Sequence, residues 1–362
     1  MSVVDEHRCC LDLGKHGMKV FEIDPLHDPR WKALVELRSD SSVFHRVEWL
    51  NALKSSYDYI PVALSTSPPG SPLEDGLLFC EVRSVLTGNR FVSVPFADHC
   101  EPLMSHPGQI NSFVASLAQR TDQKHWKYFE IRPIECIPGP QSSLGICNTY
   151  YFHRLDLRPS EHVLFKNLQK DSIQRKIRRA ERESLRYEKG SSDRLLGYFY
   201  KLFIATRRKH GLPPQPLKWF RNLVTCMGID LEIRVAFKGE TPVASILTLS
   251  NKKTLVYKYG CSDSQFNNLG GTPLLFWKAI QEAKANGMEE LDLGRSDIDN
   301  PGLVTFKDRW GAKRSNLNYL RYPFRTAAFK PEGLMKYAKR IVSIAPERSL
   351  VALGNLLYRH IG

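Results

Sequence analysis

The chain is poor in the patterns that would tie it to a metal, a disulfide framework or a membrane. Its eight cysteines include no Cys-x-x-Cys pair, and Cys9, Cys10, Cys80, Cys100, Cys136, Cys147, Cys226 and Cys261 read as scattered reduced thiols. Its eleven histidines never take the i, i+4 spacing by which one helix face holds zinc, so no structural or catalytic metal is expected. No apolar run approaches the ~18 residues of a membrane span. The opening residues MSVVDEHRCC are partly acidic and lack the apolar core of a secretory signal, so a cytoplasmic location is expected.

What is abundant is positive charge, and it is unevenly placed. Residues 1–150 carry 14 Lys+Arg against 18 Asp+Glu; the other 38 and 20 fall in residues 151–362, so a −4 half precedes a +18 half. The excess suits a phosphorylated or otherwise anionic partner, or serves solubility alone.

Two runs of elements follow one order. In the first half a strand (Met18–Ile23), helices near Pro29–Arg38 and His45–Ser55, a hairpin of Leu77–Leu86 and Arg90–Pro95 about Thr87-Gly88-Asn89, a helix at Gln109–Arg120 and a strand at Trp126–Arg132 are expected. Pro133–Asn148 reads as a connection. The second half repeats this with a hairpin of Leu231–Lys238 and Val243–Ser250, a strand Thr254–Cys261, a helix Pro273–Asn286 capped by Thr272 and stopped by Gly287, and a strand Glu290–Leu293. A helix crossing between strands favours a parallel neighbour, so each half predicts an α/β (α+β) unit: a mixed, mainly antiparallel sheet flanked by helices. The expected boundaries are 1–155, 156–325 and a basic helical tail, 326–362.

Three segments carry chemistry. Asp171–Lys189, read as one helix, places Ile173, Ile177 and Ala180 on one arc and Arg175, Arg178, Arg179, Arg182 and Arg186 opposite. This is a solvated face or an anion-binding one; arginine's planar fork suits phosphate or carboxylate. Gly270 and Gly271 precede a helix, where free backbone amides could hold a phosphate, although a glycine pair is also ordinary turn chemistry. Leu291–Ala312 crowds Asp292, Arg295, Asp297, Asp299, Lys307, Asp308 and Arg309 behind the C-terminal end of a strand, the usual place for ligands in α/β sheets. In the tail, Leu334, Tyr337, Ala338 and Ile341 stand opposite Lys336, Lys339 and Arg340, a surface helix or a peripheral contact with anionic lipid at the inner membrane face.

At these residues the sequence resembles the FemAB-like acyltransferases of the GNAT superfamily. Tyr257-Lys258-Tyr259-Gly260-Cys261-Ser262, Asp292-Leu293-Gly294-Arg295, Phe306-Lys307-Asp308-Arg309-Trp310-Gly311-Ala312 and Arg175–Glu183 look like the family's C-terminal domain, and Phe91–Phe96 matches in the first half. The resemblance spans about Phe44 to Pro323. It implies two tandem GNAT-like domains and transfer of an acyl group to an amine of a sugar, peptide or cell-envelope or exopolysaccharide precursor, the acceptor phosphorylated or nucleotide-linked. Acyl-CoA is the implied co-substrate and a non-aminoacyl group the implied cargo. The alternatives are Fem-type transfer from aminoacyl-tRNA, which would make tRNA a partner, and a non-catalytic nucleic-acid- or polysaccharide-binding protein.

Carried over by residue, Lys307 matches the lysine that steadies charge on the reacting carbonyl, and Phe306 its neighbour lining the channel. Arg175 and Arg179 would meet acceptor phosphates, with Arg295, Tyr257 and Tyr259 near the acceptor and Tyr257 or Tyr259 a proton donor. The base is Asp297, Asp299 or the substrate itself. The coenzyme A loop of such proteins, Gln/Arg-x-x-Gly-x-Gly/Ala, has Gln265 and Gly270 in place, followed by Gly271, but Asn268 stands at its first glycine.

Overall fold

The computed structural model describes residues 19–106, 108–135, 144–323, 342 and 345–361. The chain divides into two compact units, Met1–Asn148 with Leu317–Ala327 and His360–Gly362, and Thr149–Asn316 with Ala328–Arg359. Cys9, Cys10, Cys136 and the tail residues Leu334 to Ile341 lie outside the described residues.

The first unit runs β1 (Phe21–Ile23), α1 (Pro29–Leu37), α2 (Val47–Tyr57), β2 (Ile60–Ser65), β3 (Leu77–Val82), β4 (Arg90–Val92), α3 (Gln109–Gln123) and β5 (Phe129–Ile131). Its strands lie in sequence order, β1 to β4 antiparallel in turn. The α3 crossover then delivers β5 parallel to β4, with Phe91 beside Phe129. A core of Phe79, Phe91, Phe113, Leu117 and Phe129 fills the space beneath α3, and Trp126 stacks on Phe91 at 4.7 Å.

The second unit repeats that order. It contains β6 (Gly145–Asp156, beginning in the first unit and inside the expected connection), α4 (Glu161–Asn167), α5 (Arg175–Arg182), β7 (Arg186–Gly190), α6 (Asp193–Lys209), α7 (Leu217–Met227), β8 (Leu231–Lys238), β9 (Thr241–Asn251), β10 (Thr254–Ser262), α8 (Gly271–Ala285), β11 (Glu290–Asp297) and α9 (Pro301–Asp308). β12 (Lys313–Tyr322) leaves it for the first unit, where Leu320–Tyr322 pair with Ile131–Phe129; α10 (Glu347–Leu357) follows. Here β7 to β10 are antiparallel in turn, and α8 crosses to set β11 parallel to β10. β11 then pairs antiparallel with β6. The two tandem GNAT-like arrangements expected from the sequence are both present, each a mixed, mainly antiparallel sheet with one parallel step.

Helix α8 is apolar nearly all round because it is buried: Leu274, Leu275, Phe276, Trp277, Ala279, Ile280 and Ala283 all pack in the core. It ends as expected at Gly287, whose φ of +71° lets Gly287 N donate to Lys284 O and Met288 N to Ala283 O, a Schellman closure. Its outer edge is tied to the sheet by Glu282, which accepts from Tyr187 (2.9 Å), Lys189 (3.2 Å) and the buried Arg234 (3.0 Å).

Two expectations fail here for local reasons. Thr272 is not the cap of α8: the helix starts two residues earlier, at Gly271, from Gly270 in the left-handed region at φ +82°, with no side-chain cap. Arg186 is not on the arginine helix. That helix consists of a π turn over Lys170–Gln174, closed by Arg175 N to Lys170 O, and then α5, which stops at Arg182 because Ser184 turns to φ +51° and Leu185 is drawn into the core. Its apolar arc is as read: Ile173, Ile177 and Ala180 are buried.

Gly270 is fixed by contact as well as conformation, since a Cβ there would lie 2.2 Å from the Lys176 carbonyl oxygen. Gly270→Ala should therefore push α5 off α8 and cost about 2–4 kcal/mol in urea denaturation. Gly287→Ala, at φ +71° with open space around it, should cost only about 1 kcal/mol.

Candidate active site

The close approach at Gly270 brings the start of α5 to the N-terminus of α8, and a cleft of about 230 Å³ opens there. Its walls include Ser172, Lys176, Ser262, Asn267, Gly271, Phe306 and Arg309. Gly271 has little room for a side chain, its Cβ position lying 3.1 Å from that of Ala244, so the backbone itself forms the wall. Gln169 N donates to Arg309 O at 2.9 Å, which ties the end of α9 to the π turn and sets Phe306 and Arg309 opposite Lys176. Two cations and a helix N-terminus thus face one small space, an arrangement that favours an anion.

Behind Phe306 the sheet parts. The parallel pairing of β10 and β11 covers only Thr254–Glu290, Leu255–Leu291 and Val256–Asp292. Beyond it β11 carries a bulge: Asp292 pairs with Arg154 and Arg295 with Phe152, so Leu293 and Gly294 together oppose His153. Gly294 adopts φ +70° and donates its N–H to the buried Asp292 carboxylate at 2.6 Å. Lys307, 2% exposed, reaches this bulge from α9, and its ammonium donates to Gly294 O at 2.9 Å and Arg295 O at 2.7 Å. Phe276, Phe306, Trp310 and Tyr257 form an aromatic group on the same side, with centroids 4.6–6.3 Å apart.

A second bulge, in β10, separates two tyrosines that a regular strand would set on one face. Tyr257 pairs with Thr248 but Tyr259 with Leu247. Tyr257 therefore packs on Phe276 of α8, whereas Tyr259 turns to the opposite side among Phe199, Phe203 and Phe220 and accepts from Trp219 Nε1 at 2.9 Å. The other expected site residues divide as follows. Gly271 and Phe306 line the cleft, Gly270 stands at its edge, and Lys307 lies buried beside Phe306. Gln265 is exposed in the turn before α8, with its N–H on Asp263. Arg175 is exposed, Arg179 lies 3.8 Å from Glu183, and Arg295 stacks on Tyr150 at 4.4 Å. Asp297 and Asp299 are exposed where β11 ends.

The sequence reading passed over Lys176, Ser172 and Ser262. A usable signal existed: a glycine pair before a helix marks a close approach, and a helical phase that buries Ile173 and Ile177 sends Lys176 toward its edge. Among the described residues no group of three or more His, Cys, Asp or Glu could hold a metal ion, and no helix is long and apolar enough to cross a membrane.

Removing the Lys307 ammonium would take a donor from two carbonyls at the bulge, that of Gly294 buried and that of Arg295 partly so. Lys307→Met, which keeps the side-chain bulk, should lower stability by about 1–3 kcal/mol in a thermal melt. An unchanged melting temperature would mean that the tether holds nothing.

Residues 168–307 match a family model described as an acetyltransferase (GNAT) domain. No curated protein matches the sequence. Among solved structures, FemX aligns at a TM-score of 0.63 and 12% identity, over 86% of this chain and 98% of FemX. The C-terminal domain of a putative lysylphosphatidylglycerol synthetase from Agrobacterium fabrum aligns at 0.54 and 12%, over 87% and 96% of the two chains. A tandem GNAT protein from the clavulanic acid biosynthesis pathway aligns at 0.53 and 11%, over 85% and 99%. The matched segment contains most of the cleft, the β10–β11 opening and Lys307, so this part of the chain carries a GNAT-type acetyltransferase domain, and the chain has the fold of FemX and of a tandem GNAT protein.

Proposed function

We propose that the protein transfers an acyl group from a phosphate-bearing donor to an amine, with the donor's phosphates in the α8 cleft and its carbonyl near Phe306 and Lys307. The observation that carries this reading is the juxtaposition of Lys176, Arg309 and the α8 N-terminus with the opening between β10 and β11. The acceptor nitrogen attacks the activated carbonyl, the carbon–sulfur bond of a thioester breaks, and the amine gives up a proton. Negative charge gathers on the carbonyl oxygen in between, where a fixed cation lowers the barrier. Lys307 supplies that cation, held by Gly294 O and Arg295 O instead of by water. Asp297, Asp299 or a substrate group takes the proton.

Acyl-CoA is the first donor proposed, because the cleft is small and Gln265, Gly270 and Gly271 keep most of the loop that cradles its pyrophosphate. Aminoacyl-tRNA is the second: the chain has the fold of FemX, Asn268 replaces a loop glycine, and the domain is strongly basic. The cargo is therefore not restricted to non-aminoacyl groups. A phosphorylated or nucleotide-linked acceptor is proposed to use the exposed arginines of α5. Product formation with a panel of acyl-CoAs, with and without charged tRNA and with sugar, peptide and nucleotide-linked amines, decides the donor and tests the reading. Salt-sensitive nucleic-acid binding without turnover would instead favour a binding protein.

Lys307→Ala should reduce kcat by about 10²–10³ if its ammonium meets the oxyanion. Lys176→Ala and Arg309→Ala should each raise the donor KM about 10-fold with little change in kcat, as expected where a charge-assisted hydrogen bond of ~1.5 kcal/mol is lost equally from ground and transition states.

A further inference from the structure

His153 is buried without a complete set of partners among the described residues. Its side chain is wholly inaccessible; Nε2 donates to Asp308 Oδ1 at 3.2 Å, and Nδ1 has no partner among the described residues. A buried imidazole that spends one nitrogen and leaves the other bare is costly unless the bare atom is an acceptor, which loses less than an unpaired N–H. The place is specific. His153 is the residue of β6 opposite the Leu293–Gly294 bulge, and its one partner, Asp308, directly follows Lys307 at the end of α9.

We propose that His153 is a positioning residue for the transfer step: through Asp308 it fixes the end of α9 against β6, and thereby sets where the Lys307 ammonium lies at the β11 bulge. This rests on the reading of Lys307 given above. Three contacts close a small frame: His153 to Asp308, Lys307 to Gly294 O, and Lys307 to Arg295 O. Removing the first leaves Asp308 with Arg314 of β12, at 3.8 Å, as its ion pair, a longer and more exposed contact, so the ammonium can shift with the helix. An ångström of misplacement at such a group is enough to slow a reaction strongly.

The frame is also sensitive to acid. The charged groups acting on His153 are Lys307 and Asp308 of α9 and Arg314 of β12. Burial, then the Lys307 ammonium, hold the imidazole below its ordinary value of 6.5, against the opposing effect of Asp308. A proton therefore binds the unfolded or loosened frame better than the closed one, so the frame is intact above pH 6.5 and weakens as pH falls below it. Protonation would also put an unpaired Nδ1–H in the core beside a second cation.

The test compares His153→Phe and His153→Gln in the full chain. His153→Phe should lower kcat about 10- to 100-fold at pH 7.5, with donor KM within twofold and melting within a few degrees. His153→Gln, whose amide can still donate to Asp308, should recover most of that loss and should lack the decline of kcat below pH 6.5. Unchanged kcat in both variants, or an acid decline that persists in His153→Gln, overturns the proposal. A second arm needs no substrate: the His153 ring, titrated by NMR, should take up its proton at higher pH in Lys307→Met and at lower pH in Asp308→Asn. If neither substitution moves it, the coupling is absent and the proposal fails even where acyl transfer is found. If both move it while the wild-type protein transfers nothing, the positioning frame stands and the reading of the reaction falls.

Discussion

The organisation of the second unit depends on how briefly β10 and β11 stay together. Three paired residues hold them parallel, and then β11 bends away through a bulge that needs Gly294 at positive φ. Regular strands point successive carbonyls to opposite sides; the bulge brings Gly294 O and Arg295 O within reach of one ammonium. Lys307 thus donates to the backbone of the diverging strand as a neighbouring strand does elsewhere. The same contact that stabilises the opening places a positive charge inside it. In the proposed reaction, stability and reactivity are linked at this one nitrogen.

The second constraint is the passage of α5 across the start of α8. Only glycine permits it, since Lys176 O occupies the space of a side chain at 270 and Ala244 crowds the one at 271. What the π turn and α5 gain is burial of Ile173, Ile177 and Ala180; what the cleft gains is Lys176. A charged residue therefore reaches the helix N-terminus as a consequence of apolar packing on the adjoining faces of α5.

Much of this was legible. The order of elements, the two parallel steps, the hairpins of the second unit and the density of ionisable groups after β11 follow from periodicity, glycine stops and the handed crossover rule. The duplication is legible for the same reason, because element order survives where residue identity does not. Other features turn on single residues whose effect is not periodic. A bulge between Tyr257 and Tyr259 sends them to opposite faces, although both are aromatic and two apart. The end of α5 is set by Ser184 at positive φ, within a charge run that carries neither glycine nor proline to mark a stop. The resemblance singles out Lys307, but its spacing and charge do not show that it is buried; charge patterning reports how many cations there are, and only tertiary structure reports which of them are desolvated.

The cations of the second half accordingly differ in setting. The α5 arginines, exposed or partly so, lie in high dielectric, where each acts weakly but all act together, raising the local concentration of an anionic substrate. Lys176 and Arg309, as exposed as most of the α5 arginines, flank a cleft with a helix N-terminus, where a phosphate meets directed donors. Lys307 is buried and held by two carbonyl dipoles, so its charge costs most to maintain and acts most strongly on whatever charge develops near it. From the open face to the buried lysine the cations become fewer and better fixed, and in the proposed reaction their work would change from attraction to binding to stabilising an oxyanion. A solvated face would show the first of these environments without the other two. The gradient, more than the total of +14, is what favours a transferase over a general binder of nucleic acid.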